Sequence, residues 1–512
     1  MKQKTLCNEP AKTSLRDILS GHAHGITDQS LLQLYSADPE REEKLRWKLG
    51  PIQLNMTLQR LNSQTLQLLV QFAKQEGMPA EIGKLFSRKF ITPEQPGGHW
   101  LLRQHTNDRQ FLNELDQVRA ENARMSKLAH VIRSGQWKGA TGHTISHVVY
   151  LASGGPSTVA QLTHHALWDD TSNVKISFAS ALDGMQLCRL FSVLPPERTL
   201  FIVASKSFTT ADTLANHQLA HYWLSDRLGK ESDLGRHFIG ISSSADRMLK
   251  AGIPQENQLL IPNWVGGRFS SCSVFSFPMV LARGDDAFKG MQKGAELVDH
   301  HFRTAPLENN IPALMALVDI WNRNFLGIQN RILLPYDDRL SPLPLFSSQL
   351  ELESCGKASL GDSEKQKTAG MVLGEPGLNA RHSLHEYIHN GSDSCSCEFI
   401  LSKEAPVLHD KELQNHIANR HEASIRLCHS TARQFAFEDS REQSKHRIPG
   451  TPSSIIELEN LSPESLGALI ALYEHRTFAQ STLWKVNPFD QKGVDRDKIM
   501  SGDIYNASLG SL

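Results

Sequence analysis

Residues 147–158 read HVVYLASGGPST, and this stretch sets the fold class. A run of β-branched and aromatic residues ends in a Gly-Gly-Pro turn and leads into a helix-like stretch from Thr158 to Trp168. Similar apolar runs recur at Val174–Ala179, Thr199–Ala204, His237–Ile241 and Leu259–Ile261. Strand, polar turn and helix, repeated at this spacing, predict a parallel sheet with helices on both faces.

A second set of such runs follows in the later half of the chain. Strands are predicted at Arg331–Pro335, Met371–Leu373 and Glu398–Leu401, and a long helix at Leu413–Phe437. The segment before residue 135 is predicted to be helical, since its apolar residues recur at three- and four-residue spacing. We therefore predict an α/β protein with two doubly wound parallel-sheet halves and an N-terminal helical region.

The composition excludes several classes of protein. The 512 residues carry a formal net charge of -1, and no block of basic residues predicts nucleic-acid binding. No stretch approaches the roughly 20 apolar residues of a membrane-spanning helix. Seven cysteines do not make a disulfide framework in a chain of this size, and the N-terminus lacks a signal-peptide core. These features favour a cytoplasmic enzyme that acts on small metabolites.

The segment PNWVGGRFSSCS, residues 262–273, is a candidate site for charge stabilisation. Gly266 and Gly267 let the backbone approach a ligand without a Cβ in the way. Arg268 then offers a permanently charged fork to an anion, either a bound group or one formed during reaction. The alternative is a surface turn with a solvated arginine.

The segment SKSFTT is a candidate phosphate site, because it lies between a predicted strand and a predicted helix. Ser205, Lys206, Ser207 and Thr210 supply hydroxyls and one cation at a helix N-terminus, where backbone N–H groups also attract anions. Without a GxxxxGK[ST] pattern, a single phosphate monoester fits better than a nucleotide triphosphate. The alternative is a helix N-cap with spare serines. The earlier turn at Gly155 lacks GxGxxG, which argues against a dinucleotide site.

Three further segments carry candidate acid–base groups. Gln349 and Glu353 lie four residues apart and would share one face of a helix, which makes Glu353 a candidate base. His382 ends the segment GEPGLNARH, where it could handle hydroxyl or ring-oxygen protons. Gln491 and Lys498 lie seven apart in NPFDQKGVDRDK, about two helical turns. Each could also be an ordinary solvated side chain.

His385 to His389 form a literal HExxH, the pattern that places two imidazoles on one face of a helix for zinc. Cys395 and Cys397 follow closely. No third ligand stands at the spacing of the longer zinc-peptidase motif. A zinc metallopeptidase is therefore a remote alternative.

Taken together, these segments resemble the glucose-6-phosphate isomerase family. The resemblance runs from about Met125 to Lys498, and WVGGRFS with FDQKGVDRDK is its most specific pair. It implies two sugar-isomerase-type (SIS) domains, a homodimer with composite active sites, and no metal or organic cofactor. We predict an N-terminal helical region at 1–118 that packs on the second domain, a first SIS-like domain at 119–284, and a second at 285–512 with C-terminal helices.

The resemblance also implies roles for individual residues. Glu353 matches the base that moves a proton between C2 and C1, and Arg268 matches the cation that stabilises the enediolate. His382 and Lys498 match groups used in ring opening. The substrate-binding set is Gly155, Ser205, Lys206, Ser207, Thr210, Gln349 and Gln491.

The leading hypothesis is an aldose–ketose isomerase that interconverts glucose 6-phosphate and fructose 6-phosphate through an enediolate. Pro156 stands where the family has a phosphate-contacting serine, and proline has neither a hydroxyl nor a backbone donor. A catalytically impaired sugar-phosphate-binding module is therefore a second hypothesis. The presence of Glu353 and Arg268 argues against it, since a pure binder has no use for a base.

Overall fold

The computed structural model describes residues 14–105, 108–168, 171–359, 366–438, 449–497 and 500. Its strands are β1 (Arg46–Leu49), β2 (Ile52–Leu58), β3 (His147–Leu151), β4 (Lys175–Ala179), β5 (Thr199–Ala204), β6 (Phe238–Ser242), β7 (Gln258–Leu260), β8 (Asn330–Pro335), β9 (Val372–Gly374), β10 (Cys395–Ser402) and β11 (Ser453–Leu458). None of the described helices is long and apolar enough to span a lipid bilayer.

The α-helices surround two separate sheets. They are α1 (Leu15–Thr27), α2 (Leu31–Ser36), α3 (Arg41–Lys44), α4 (Ser63–Gln75), α5 (Met78–Leu85), α6 (Leu112–Arg133), α7 (Gly155–Ala166), α8 (Met185–Phe191), α9 (Ala211–Leu228), α10 (Ala245–Lys250), α11 (Phe277–Arg283), α12 (Asp285–Thr304), α13 (Ile311–Ile320), α14 (Leu343–Cys355), α15 (Gly377–Ser383), α16 (His385–Asn390), α17 (Lys411–Phe437) and α18 (Pro463–Trp484).

The first sheet confirms the predicted parallel architecture. Its strand order is β4-β3-β5-β6-β7, and every neighbouring pair is parallel. All six residues of β5 are buried, as expected for a central strand covered by helices on both faces. The chain leaves β3 towards β4 on one side and then returns to β5 on the other, which makes the carboxyl ends of β3 and β5 a topological switch point. Ligands of open α/β sheets bind at such points.

The second sheet is mixed and has the order β1-β2-β11-β10-β8-β9. Strands β8 to β11 pair in parallel, as predicted for this half, whereas β1 and β2 form an antiparallel hairpin and β2 pairs antiparallel with β11. The prediction that the whole segment before residue 135 is helical was therefore wrong for β1 and β2. Leu58 lies opposite Ser453, so the partner strand is almost 400 residues away and gives no local signal. The domain boundaries at 118/119 and 284/285 stay predictions.

Helix α18 is the buried axis of the second half. Every residue from Ser465 to Ser481 is buried, although this stretch includes Glu474, His475 and Arg476. Each of these groups is paired: Arg103 donates to Glu474 at 2.5 Å, His475 bonds to Asp299 at 2.6 Å, and Arg476 bonds to Asp319 and Glu398 at 2.6 Å. A buried polar or charged group is tolerated only with such a partner, so these pairings fix the position of α18 among its neighbours.

We expect Gly467→Ala to destabilise the fold, because α12 and α18 meet at backbone contact. A Cβ on Gly467 would lie 1.8 Å from the carbonyl oxygen of Met291. Overpacking of this kind typically costs about 1–3 kcal/mol, which should appear as a lower thermal midpoint. Gly83→Ala in α5 is the matched control, since its Cβ would meet nothing within 4 Å, and we expect a gain of about 0.5–1 kcal/mol. Equal midpoints for the two variants would contradict this account of the packing.

Candidate functional site

Arg268 lies in a short 3₁₀ turn, Gly267–Phe269, and only 3% of it is exposed. The alternative of a solvated arginine on a surface turn was therefore wrong. A guanidinium has five N–H donors, and here all five have acceptors. The acceptors are Ser354 Oγ at 2.8 Å, Glu353 Oε2 at 3.2 Å, Gln491 Oε1 at 2.9 Å, the carbonyl oxygen of Asp490 at 3.1 Å and that of Pro488.

The donors of Arg268 divide into a fixed set and an exchangeable one. Nε and Nη2 bond to Ser354 and to two main-chain carbonyls, which cannot rotate away. Nη1 bonds to the side chains of Glu353 and Gln491, which can. Burial lowers the pKa of Arg268, and the carboxylate of Glu353 opposes that shift. Nη1 is therefore the nitrogen of Arg268 whose hydrogen-bond partners could be exchanged for a bound anion.

Glu353 and Gln349 share one face of α14, as their four-residue spacing predicted. Gln349 Nε2 donates to Glu353 Oε1 at 2.8 Å, and Thr158 Oγ1 donates to Gln349 Oε1 at 2.6 Å. The Glu353 side chain is 21% exposed, so its carboxylate is accessible to a small molecule. On the inner side of the same helix, Arg331 holds Glu351 at 2.6 Å. That buried pair fixes α14 and with it the direction of Glu353.

The Gly-Gly turn after β3 joins the two halves of the site. Gly154 has φ +64, a conformation that few residues other than glycine adopt. A Cβ on Gly155 would lie 2.5 Å from the carbonyl carbon of Gly267, so the start of α7 touches the Arg268 turn. Ser153 Oγ lies 3.4 Å from Thr213 Oγ1 at the start of α9. The turn thus lies between the Arg268 turn and the elements that follow β5.

Ser205–Thr210 forms the predicted polar loop between β5 and α9. Ser205 Oγ and Thr210 Oγ1 lie 2.9 Å apart, and Ser207 Oγ and Thr209 Oγ1 lie 2.6 Å apart. Lys206 Nζ donates to the carbonyl oxygen of Asn263 at 3.1 Å, which links this loop to the segment that leads to Arg268. The hydroxyls and the start of α9 are thus grouped at the switch point of the first sheet.

Pro156 occupies the first turn of α7, where the missing N–H costs nothing. The neighbouring Ser157 is buried, and its Oγ accepts a bond from Gln161 Nε2 at 2.9 Å. The hydroxyl of Ser157 is therefore engaged within its own helix. The Ser205–Thr210 loop stays the candidate anion site.

Lys357 is a site residue that the sequence analysis did not single out. Its Nζ donates to the carbonyl oxygens of Asn487 at 2.5 Å and Asp490 at 2.9 Å, and it pairs with the Asp490 carboxylate. Arg268 bonds to the same Asp490 carbonyl. Lys357 thus fixes the segment that carries Gln491. The only sequence signal was its place four residues after Glu353.

Gln491 contacts Arg268, as its Oε1 accepts a bond from Nη1. The prediction that Gln491 and Lys498 share one helical face falls partly outside the described residues. Residues 492–497 are helical and Gln491 just precedes them, whereas Lys498 lies outside the described residues. His382 is exposed on α15. Within the described part of the chain, no hydrogen bond joins it to Arg268, Glu353 or Gln491. In a single chain, the structure brings together Arg268, Glu353, Gln349 and Gln491, but not His382.

The HExxH lies on the short helix α16. The rings of His385 and His389 pack on Phe435, with centroids 4.8 and 5.0 Å from it, and burial lowers the pKa of His385 to about 4. Cys395 and Cys397 are buried in β10. Among the described residues, no group of three or more His, Cys, Asp or Glu side chains is arranged to hold a metal ion. These observations favour a packing role for the two histidines.

One sheet carries the hydroxyl loop and the other half supplies the carboxylate, and this organisation defines a two-domain sugar-isomerase-type α/β protein. A solved structure has the same fold: the glucose-6-phosphate isomerase from Chlamydia trachomatis matches with a TM-score of 0.83 at 22% identity, over 97% of this chain and 96% of that one. The phosphoglucose isomerase family model matches residues 55–511. The chain belongs to this family.

Curated relatives support that membership at higher identity. A glucose-6-phosphate isomerase from Hydrogenovibrio crunogenus is 37% identical over 494 residues, covering 92% of this chain and 90% of the relative. One from Acinetobacter baumannii is 38% identical over 497 residues, covering 92% and 89%. The similarity therefore extends over nearly the whole length of both proteins.

We expect Lys357→Met to lower kcat for the family's isomerisation by on the order of 100-fold, because releasing the Asn487–Gln491 segment misplaces groups around Arg268. Lys357→Arg should retain more activity, since it keeps a cation there. Lys293→Met is the matched control: this lysine forms a surface pair with Glu464, and such pairs contribute little. Steady-state kinetics on the three variants check the prediction, and wild-type kcat in Lys357→Met would contradict it.

Proposed function

We propose that this protein interconverts glucose 6-phosphate and fructose 6-phosphate as an aldose–ketose isomerase. The observation that supports this most directly is the 3.2 Å contact between Arg268 Nη1 and Glu353 Oε2. It places a proton-accepting carboxylate of the second half beside a buried cation of the first half, and Lys206 of the hydroxyl loop bonds to Asn263 in the segment that leads to that cation. The names of the curated relatives support the same substrates.

The reaction needs a base and a cation at neighbouring positions. The Glu353 carboxylate takes the proton from C2 of the open-chain aldose and returns it to C1, while the O2 hydroxyl proton moves to O1. A C–H bond beside a carbonyl is only weakly acidic, so the negative charge on the enediolate oxygens must be stabilised. One preorganised donor of this kind typically contributes about 3–4 kcal/mol. Arg268 is already fixed in place and does not have to reorganise during the reaction.

Substrate entry would exchange the partners of Arg268 Nη1. In the structure this atom bonds to Glu353 and Gln491. A substrate oxygen that takes the place of Glu353 on Nη1 would free the Glu353 carboxylate to act as a base. Ser205, Lys206, Ser207 and Thr210 would hold the phosphate, and Gly155 would let the start of α7 lie directly against the Arg268 turn at the edge of the sugar site. Ring opening by His382 and Lys498 stays a prediction from the family resemblance.

Replacing Glu353 by Gln tests the isomerase directly. The amide keeps the size of the side chain but cannot accept the C2 proton, so we expect kcat to fall by at least about 1,000-fold. Binding of fructose 6-phosphate, measured by calorimetry, should persist. The assay is run with a chelator present, because the proposal requires no metal ion.

The same experiment separates the proposal from its alternative. Wild-type turnover by Glu353→Gln would remove this residue as the base. A wild-type chain that binds fructose 6-phosphate and does not isomerise it would instead favour the impaired binding module raised by Pro156. Loss of turnover with chelator alone would point to metal-dependent chemistry.

We further propose a homodimer in which His382 completes the active site of the second copy. His382 is exposed, and apolar side chains are also exposed on neighbouring elements: Leu345 on α14, Met371 and Leu373 at β9, and Leu378 on α15. Exposed apolar groups of this kind are typical of an association surface. A cytoplasmic location and the SIS domain limits at 119–284 and 285–512 belong to the same proposal.

Mixing two inactive variants tests the shared site. In a dimer of His382→Ala with Glu353→Gln, one site would contain both an intact Glu353 and the partner's intact His382. When equal amounts of the two variants pair at random, half of the dimers contain one copy of each, and one of the two sites in such a dimer is intact. The mixture should therefore recover about one quarter of wild-type activity. The variants are co-refolded or co-expressed and assayed together. If His382 acted within its own chain, the mixture would stay as inactive as its components.

A further inference from the structure

The groove between α9 and α10 is a cavity that the proposed reaction does not use. It has a volume of about 660 Å³ and is lined by residues that include Leu214, His217, His221, Tyr222, Arg247 and Lys250. Sites for small molecules typically range from about 300 to 1,000 Å³. The groove lies on the first sheet, whereas the proposed dimer surface lies on α14, β9 and α15 of the second half.

The groove follows from a mismatch in helix length. Helices α9 and α10 follow the neighbouring strands β5 and β6, but α9 has 18 residues and α10 has 6. At 1.5 Å per residue, α9 is longer by about 18 Å. Part of one face of α9, which includes Leu214 and His221, is therefore not covered by α10. This length difference belongs to the backbone and does not depend on side-chain rotamers.

The lining has the chemistry to hold an anion joined to a flat ring. Arg247 and Lys250 are exposed on one side of α10, and none of the described residues that line the groove is acidic. The opposite wall carries the exposed rings of His221 and Tyr222, and behind them lies the buried ring of His217, which packs edge-on against Phe238. Burial lowers the pKa of His217 to about 4, so this ring is neutral near pH 7. Cations on one wall and ring faces on the other favour a ligand with both features.

The groove also touches the proposed phosphate loop. Arg247 Nη1 donates to the carbonyl oxygen of Ser207 at 2.7 Å, and Phe208 is part of the groove lining. Phe208 has φ +52, a conformation that is costly for a bulky residue and persists only when its surroundings hold it. A ligand anion that pairs with Arg247 would compete with the Ser207 carbonyl. The loop could then relax from this conformation.

We propose that this groove binds an aromatic phosphate of the size of a nucleoside monophosphate and weakens substrate phosphate binding when occupied. The second part depends on the proposed role of Ser205–Thr210, whereas binding in the groove does not. Both the ring and the phosphate contribute, because the two walls recognise different parts of the ligand.

Calorimetry on the full-length protein tests the binding. Adenosine 5′-monophosphate and 4-nitrophenyl phosphate are titrated without fructose 6-phosphate and again with it at saturation, where it occupies the active site and should weaken binding in the groove by reciprocal coupling. We expect one saturable site per chain, and much weaker binding of adenosine or inorganic phosphate alone. Lys250→Met and Tyr222→Ala should each raise the dissociation constant by about tenfold. Arg227→Met, an exposed cation on α9 that does not line the groove, is the control and should leave it unchanged.

The outcomes separate the two parts of the proposal. No saturable binding of either aromatic phosphate, or binding that Arg227→Met weakens as much as Lys250→Met, would overturn the site. Binding that leaves the KM for fructose 6-phosphate unchanged would overturn the regulatory part and keep the site. Failure of the isomerase assay would remove the KM measurement but would not affect the calorimetric result.

Discussion

The proposed active site depends on keeping the buried guanidinium of Arg268 charged. Removing a charged arginine from water carries a large desolvation cost. Because that cost falls on the charged form, burial lowers the pKa of Arg268. The structure offsets this cost by giving every N–H of the side chain an acceptor. Two of those acceptors are main-chain carbonyls, which would hold the guanidinium in its orientation if the side chains of Glu353 and Gln491 turned to other partners. Charge stabilisation is thus built in before a substrate arrives.

The neighbouring helices explain how this arrangement is held. Helix α14 presents Glu353 and Ser354 on the side of Arg268, and its buried Glu351 pairs with Arg331. Helix α18 is enclosed by protein along almost its whole length and leads directly into the segment that contributes Pro488 and Asp490. The ion pairs of both helices set where each helix packs more than they stabilise the fold. Any other packing would leave a buried charge without a partner, which is costly.

Local sequence predicted the parts of the molecule whose causes are local. The runs at Thr199–Ala204 and His147–Leu151 are strands because they are apolar, β-branched and followed by turn residues. The pairing of Gln349 with Glu353 follows from helical spacing alone. The hairpin β1–β2 could not be read in the same way, since its partner β11 is remote in sequence. The contacts of Lys357 could not be predicted from sequence either, because it bonds to main-chain carbonyls of a distant segment and any residue type supplies a carbonyl.

The contact between Arg268 and the Pro488–Gln491 segment also has a consequence for folding during protein synthesis. More than 200 residues separate the two along the chain. At roughly 5–20 residues per second, the ribosome would make the acceptors in the Pro488–Gln491 segment about 10–40 s after the arginine itself. During that interval the first sheet can fold, but its key cation lacks several of its final acceptors. The Ser205–Thr210 loop is therefore synthesised well before the full set of groups around Arg268 can be assembled.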